Sequence, residues 1–288
     1  MSLLVNIDGK IRGPGEALVP VLDRGFLYGD SVYEVVRTYE GRPFALKEHL
    51  DRFERSAARL DIALPERSWL QEQVHATIEA AGNDESYCRI IVTRGGGPIT
   101  LDPTKATGSL SVILVKEYQH FPDWMYEKGI KVHIPVIRRT PPSAVDPAIK
   151  SGNYLNSILA LGEARRAGFD DALLLDVLGR VTEATSANVF MYHQRKLYTP
   201  ALQVGILEGV TRRLVIDLAA KHGFEVEECD IFPEQLWTAH EVMLTSTLKE
   251  VMPVVQVGDA KVSVGKPGPV AKKLREVIQN HAREKVNQ

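Results

Sequence analysis

The sequence predicts an α+β protein of two domains, each a mixed sheet with helices packed on it. Three observations carry that expectation. At 288 residues the chain exceeds the usual span of one domain. Short strand patterns closed by turn residues alternate with amphipathic helix patterns along its length. No repeat or low-complexity tract interrupts the alternation, and 44% hydrophobic residues suffice for a sizeable core.

Taken in order, "LLVNIDGKIR" reads as a hairpin around Asp8-Gly9, and "SVYEVVRTYEGRPFAL" repeats the scheme with Glu40-Gly41 as its turn. A helix is expected from Lys47 to Leu60, with Leu50, Phe53, Ala57 and Leu60 on one stripe. "SWLQEQVHATIEAAG" is a second helix, closed by Gly82. "SYCRIIVTRGGG" and "GSLSVILVKEY" read as core strands, completing a first domain over 1–117. A crossing at 118–125 leads to a larger domain over 126–288 that carries Lys150. There, "LNSILALG" places Leu155, Ile158, Leu159 and Gly162 at the spacing of a helix burying one face. "DDALLLD", "GRVTEATSANVFMY" and "KLYTP" are strands, with Leu178-Gly179-Arg180 as a turn. "GVTRRLVIDLAAKHG" is a helix ending at Gly223, "EVMLTSTLKEVMPVV" is two short strands, and "VAKKLREVIQNHAREK" is a terminal helix.

Composition narrows the function. A formal charge of -2 gives no electrostatic reason to expect nucleic acid. The eight histidines are scattered without metal-ligand spacing, so no metal is expected. Cys88 and Cys229 read as separate buried thiols in a reducing compartment. With no signal-like start and no apolar run of membrane length, a cytoplasmic location is expected.

Lys150 poses the functional question. It sits between "RRTPPSAVDPAI" and the helix that follows, and alone it reads as a solvated side chain. Three other stretches change that. In "TEATSANVF", Glu183 falls in a strand, where an inward carboxylate is costly unless it meets a cation. In "ILEGVTRRL", Gly209 and Thr211 open a helix whose amides suit a phosphate. In "TSTLKE", Thr245, Ser246 and Thr247 cluster hydroxyls at a strand end. Pyridoxal 5'-phosphate asks for all four features. Its aldehyde takes a lysine, its ring nitrogen wants an acid, and its phosphate wants amides and hydroxyls.

The motifs "DRGFLYGDSVYEVVR", "EHLDRFERSA", "VTRG", "KSGNYLNS", "TEATSANVF", "GVTR" and "TSTLKEVMPV" resemble, in order, those of the fold-type IV, class IV pyridoxal phosphate aminotransferases. That group holds branched-chain and D-amino acid aminotransferases and aminodeoxychorismate lyase. The resemblance implies the two-domain fold-type IV architecture and a homodimer. It makes Lys150 the Schiff-base lysine and proton shuttle, and Glu183 the partner of the pyridine nitrogen. Tyr154 would bond the ring hydroxyl, while Arg52, Val210, Thr211 and Thr247 would hold the phosphate, with Arg55 a competitor to Arg52. Because a free lysine amine is a poor base at neutral pH, burial and a neighbouring cation are needed, and Arg37 and Arg89 are candidates.

Substrate contacts are expected from Tyr28, Tyr33, Arg37, Tyr87, Arg89 and Leu248. The first three lie where alternate strand positions could line one wall. The resemblance favours branched-chain L-amino acids with 2-oxoglutarate. A D-amino acid or (R)-amine transaminase is the alternative, aminodeoxychorismate lyase a third reading, and an idle cofactor-binding protein a fourth. Departures bear on the choice. Val35 replaces the glycine usual in branched-chain enzymes, as D-amino acid enzymes do. Ile99 and Leu101 stand where D-specific enzymes place an arginine and a histidine after "TRG". Leu248 is bulkier than the small residue that branched-chain enzymes often carry there. Gly95, Gly96 and Gly97 read as a mobile or closely approached loop, not a dinucleotide fingerprint.

Overall fold

The computed structural model describes residues 3–287. Its contacts divide the chain into two units. The first comprises the residues up to Gln119, the segment Ile149–Asn153 and the stretch from Ala282 on. The second comprises His120–Ala148 and Tyr154–His281. The break at 119/120 falls inside the expected crossing, but Lys150 groups with the first unit rather than with 126–288. The cause is main-chain pairing, described with the site below.

In the first unit, β1 (Leu4–Ile7) and β2 (Lys10–Arg12) form the expected hairpin. Its turn residues Asp8 and Gly9 both have positive φ, as a two-residue hairpin turn requires. A short helix, α1 (Arg24–Tyr28), is capped by the Asp23 carboxylate and ends at Gly29, whose φ is 69°. It leads into β3 (Ser31–Tyr39), which turns at Glu40-Gly41 into β4 (Arg42–Pro43). Two helices, α2 (Leu46–Arg59) and α3 (Arg67–Ala81), precede β5 (Ser86–Thr93) and β6 (Leu110–Glu117). The antiparallel sheet runs β2-β1-β6-β5-β3-β4. Strand alternation separates its faces. Val32 and Val36 of β3, with Cys88, Ile90 and Val92 of β5, pack on Leu50 and Phe53 of α2 and Leu70 and Val74 of α3. The other face takes Tyr33, Val35 and Arg37, which stand opposite Ile91, Arg89 and Tyr87.

The loop after β5 is closely approached rather than open. Gly95 has φ 91°, and a Cβ there would run into the Gly108 carbonyl.

The second unit contains α4 (Asp123–Lys128), β7 (Ile130–His133), α5 (Leu155–Arg166), β8 (Asp171–Leu175), β9 (Val181–Ala184), β10 (Asn188–His193) and β11 (Lys196–Pro200). It continues with α6 (Val210–Lys221), β12 (Glu225–Cys229), α7 (Pro233–Thr238), β13 (Glu241–Ser246), β14 (Glu250–Val257), β15 (Ala260–Lys261) and α8 (Pro269–Val286). Its sheet runs β12-β11-β10-β13-β14-β7-β8-β9. Because β9 also pairs with β10, through Glu183 and Asn188, the inner strands close on themselves. Leu173, Val189, Leu244, Met252 and Val254 fill one core cluster on these strands. Phe190, Met243, Val215 and Leu274 build another with α6 and α8.

One sequence expectation is overturned here. Leu155, Ile158 and Leu159 of α5 are 66%, 58% and 54% exposed. The helix instead packs through Ala160 and Ala164 onto Ala172 and Leu174 of β8 and Phe169. Two alanines let the helix approach the strand closely, and its bulky residues are left outward.

The core of the first unit holds a charged cluster. Glu34, fully buried on the α2 side of β3, takes the Arg52 guanidinium on both oxygens (Nε–Oε1 2.7 Å, Nη2–Oε2 2.8 Å) and His49 Nδ1 at 2.8 Å. Burial raises the Glu34 pKa, but Arg52 and His49 outweigh it and hold the carboxyl well below the usual range. For His49, burial and the nearby Arg52 and Lys150 cations outweigh Glu34, so its pKa is lowered. The sign of the pH effect follows. As pH falls through the ordinary histidine value, about 6.5, the unfolded chain binds a proton that folded His49 refuses, and stability declines. Depressed Glu34 adds a further loss below its ordinary value, about 4.3. Thermal melts of wild type should therefore fall in Tm from pH 7 to pH 5, and His49→Gln should flatten that interval. An identical slope in the variant would refute the assignment.

Candidate active site

The Lys150 segment adds itself to the sheet of the first unit. Tyr33 N–H donates to the Lys150 carbonyl at 3.0 Å, Gly152 N–H donates to Ser31 O at 2.9 Å, and Val32 bridges Ser151. The Lys150 N–H donates to Ser56 Oγ of α2 at 3.1 Å. Gly152 is required at this contact, because a Cβ would strike Ser31 Oγ. The lysine side chain then runs to Tyr33, its Nζ 3.0 Å from the phenol oxygen and 4.4 Å from the ring centroid. Arg89 lies over the same ring, its Cζ 4.4 Å from the centroid.

The sequence motifs around this face are structural knots. Asp23 caps α1 through Gly25 N and Phe26 N and accepts Thr93 Oγ1 at 2.7 Å. Arg24 pairs with Asp30 and donates to the carbonyls of Thr100 and Leu101. Arg94 pairs with the same Asp30 and donates to Leu60 O. The "DRGFLYGD" and "TRG" stretches thereby pin each other.

Other expected substrate residues are placed as follows. Arg37 is buried, salt-bridged to Glu85 at 2.7 Å and flanked by the rings of Tyr39 and Tyr118. Tyr87 and Arg89 share one face of β5. Tyr28 ends α1, partly exposed, with Arg24 over its ring. Arg52 is buried on Glu34, while Arg55 is exposed on α2.

In the second unit, Glu183 is buried where the strands close. Arg139 Nη2 meets its Oε1 at 2.7 Å, while Asn188 Nδ2 and the Leu207 amide donate to Oε2 at 3.2 and 3.1 Å. A carboxylate so held on both oxygens is fixed in orientation. Beside it, α6 begins at Gly209 with no side-chain cap on its first amides, those of Val210 and Thr211. Glycine is needed there, because a Cβ would collide with Asn188 Oδ1. The Thr245 hydroxyl, on the cross-strand neighbour of Asn188, is buried with no hydrogen-bond partner among the described residues. Thr247 and Leu248 lie in the turn between β13 and β14, and Tyr154 immediately precedes α5. Open amides, a glycine-lined approach and an orphaned hydroxyl fit a phosphate, and Glu183 fits a protonated ring nitrogen. The residues present thus suit pyridoxal 5'-phosphate.

Sequence reasoning missed Glu34, His49, Ser56, Arg139, Asn188 and Leu207. For the α2 members a signal existed. His49, Arg52 and Ser56 recur at helical spacing within the stripe that buries Leu50 and Phe53. Among the described residues, no cluster of His, Cys, Asp and Glu could hold a metal, and no helix is long and apolar enough to cross a membrane.

The pattern of amino-transferase class IV matches residues 31–257. A putative branched-chain-amino-acid aminotransferase of Methanocaldococcus jannaschii is 38% identical over 96% of this chain and 95% of its own. A D-alanine aminotransferase of Bacillus licheniformis is 32% identical over 97% and 96%. A T.th. branched-chain amino acid aminotransferase, solved with pyridoxamine 5'-phosphate, superposes with a TM-score of 0.93 at 32% identity, covering 98% of this chain and 95% of that one. Other structures of that enzyme hold N-(5'-phosphopyridoxyl)-L-glutamate or 4-methylvaleric acid. These matches agree, and the chain belongs to amino-transferase class IV, as a pyridoxal-phosphate-dependent aminotransferase of fold type IV.

Proposed function

We propose that this aminotransferase moves the amino group of branched-chain L-amino acids to 2-oxoglutarate, with Lys150 as its proton-transferring residue. The observation that carries the chemistry is the Lys150 amine held 3.0 Å from the Tyr33 hydroxyl. When bound, pyridoxal phosphate supplies an electron-withdrawing ring that acidifies the substrate's α-carbon. Every other task falls to the chain. Lys150 Nζ takes the proton from the substrate Cα and later returns one, and the Tyr33 hydroxyl orients that amine between transfers. Glu183, fixed by Arg139, Asn188 and the Leu207 amide, keeps the ring nitrogen protonated. Tyr154 bonds the ring hydroxyl. Arg52, Val210, Thr211 and Thr247 hold the phosphate, Arg52 oriented by Glu34.

Substrate choice rests on Tyr28, Tyr33, Arg37, Tyr87, Arg89 and Leu248. Apolar Ile99 and Leu101, in the loop whose carbonyls Arg24 grips, offer no charge to a D-substrate's carboxylate. The relative's complexes with a leucine-like acid and with a glutamate adduct favour the same donor and acceptor. Val35 and the D-alanine aminotransferase relatives support the second reading, a D-amino acid or (R)-amine transaminase.

The working form is a homodimer in this reading. The exposed Leu155, Ile158 and Leu159 of α5 form an apolar face suited to a second copy of the chain. A cytoplasmic setting accords with Cys88 and Cys229, both free thiols.

Absorption spectroscopy tests the chemistry. Holoenzyme mixed with L-leucine should convert to the pyridoxamine form, and D-alanine should leave it unchanged; the reverse pattern would establish the second reading. Lys150→Ala should abolish turnover, by at least about 10⁴-fold, a loss in keeping with removal of an essential general base. Tyr33→Phe should slow the L-leucine half-reaction roughly tenfold with the cofactor still bound, whereas an unaltered rate would remove the hydroxyl from the mechanism. Light scattering should show dimer for wild type and monomer for a Leu155→Glu, Ile158→Glu double variant. A variant that stays dimeric would place the interface elsewhere.

A further inference from the structure

Lys249 follows Thr247 and Leu248 in the turn between β13 and β14, and the reaction gives it no task. A lysine in a hairpin turn is ordinarily solvated. This side chain is only 13% exposed, with its Nζ 3.3 Å from Asp171 Oδ2 and 3.1 Å from Ser186 Oγ. Asp171 is itself buried, its side chain 5% exposed. Its second oxygen accepts Thr185 Oγ1 at 2.6 Å and the Ala172 amide at 2.9 Å. The backbone of Lys249 is held as firmly. Its N–H donates to Ser246 Oγ at 3.1 Å, and its carbonyl accepts Tyr126 Oη at 3.3 Å.

These contacts join three segments of the second unit. Asp171 opens β8, Thr185 and Ser186 make the turn that directly follows Glu183 and Ala184, and Lys249 closes the turn that carries Thr247 and Leu248. A buried cation is tolerated only when a carboxylate and further hydrogen bonds compensate it, and such a pair resists displacement because separation leaves both charges desolvated. The turn is thereby clamped at Ser246 on one side and at Lys249 on the other, with Thr247 and Leu248 between.

We propose that Lys249, through Asp171 and Ser186, is a positioning residue that fixes the Thr247–Leu248 turn relative to Glu183. The inference rests on the roles proposed above for Thr247 with the cofactor phosphate and Glu183 with the ring nitrogen. Those two groups belong to one small molecule, a planar ring with a short phosphate arm, so both are satisfied together only if their partners are held within its limited reach. A turn free to move by about 1 Å would forfeit much of that benefit. The same clamp sets where the Leu248 side chain stands, which ties cofactor retention to substrate preference through a residue that touches neither.

The test uses Lys249→Met, Asp171→Asn, the double variant, Lys249→Arg and the milder Ser186→Ala, against wild type. Cofactor affinity is titrated by absorbance after the protein is stripped and reloaded, alongside Tm of the stripped protein. Lys249→Met should weaken pyridoxal phosphate binding on the order of tenfold. Asp171→Asn should do the same, and the double variant should be little worse than either single one, the signature of a coupled pair. Lys249→Arg should recover most of the affinity. Ser186→Ala should shift it in the same direction by less, which keeps the inference testable if Lys249→Met does not fold. The L-leucine to L-valine preference in kcat/KM should change in Lys249→Met. A fall in Tm with unchanged cofactor affinity and unchanged preference would make the pair merely structural and overturn the proposal, as would fully additive effects. Wild type that takes up no cofactor would instead sink the proposed function itself, so the two failures are distinguishable.

Discussion

The chemistry proposed for this protein depends on a few backbone hydrogen bonds. Residues 149–153 pair with the start of β3, through Tyr33 N–H to the Lys150 carbonyl and Gly152 N–H to Ser31 O. Ser56 of α2 adds a third anchor at the Lys150 amide. A lysine on an unrestrained loop loses about 2 kcal/mol of rotamer freedom whenever its amine must meet one point in space. With the backbone paired at 150 and the amine bonded to Tyr33, that loss is incurred during folding rather than in each turn of the proposed reaction. The glycines follow from the same pairing. Gly152 must lack a Cβ because Ser31 Oγ occupies the space, and Gly29 reverses the chain so that Ser31 begins the strand.

Both units treat buried charge alike. Glu34 is matched by Arg52, with His49 hydrogen-bonded beside it, Glu183 by Arg139, and Asp171 by Lys249. Apolar replacements could make comparable cores at no cost in stability, since buried ion pairs are weak stabilisers. What the pairs confer is direction. A guanidinium gripped on two nitrogens by one carboxylate cannot swing, and a carboxylate held on both oxygens presents a defined lone-pair geometry. For Arg52 and Glu183, the proposed partners of phosphate and ring nitrogen, orientation matters more than the energy of the pair.

Local grammar made most of the architecture legible. Asp8-Gly9 and Glu40-Gly41 specify hairpins because both residues of each turn need positive φ, and Gly82 marks the end of α3 for the same reason. Strand alternation in β3 and β5 reveals the two faces of the first sheet. Periodicity misleads at α5, where Leu155, Ile158 and Leu159 share a helical face but Ala160 and Ala164 make the close contact. A hydrophobic stripe says that a helix has an apolar side, not which surface will cover it. The charge partners were illegible for another reason. Arg139 and Glu183 stand far apart in sequence, as do Lys249 and Asp171, and no spacing rule relates such positions. Lys150 itself was singled out by its motif, and its grouping with the first unit follows from long-range pairing to β3 that no local pattern announces.

The first sheet also separates the two arginines that the sequence offered as neighbours of the lysine. Arg37 is spent on Glu85, 2.7 Å away, and is enclosed by Tyr39 and Tyr118. Its charge is balanced by a carboxylate before any substrate arrives. Arg89 adjoins the Tyr33 ring, the same ring that the Lys150 amine touches. The Arg89 guanidinium against that phenol raises the local positive potential, from which the carboxylate of the proposed substrate would gain. In the proposed reading Arg89 is therefore the arginine left to meet the acid end of the substrate, while Arg37, already paired with Glu85, holds the wall in place.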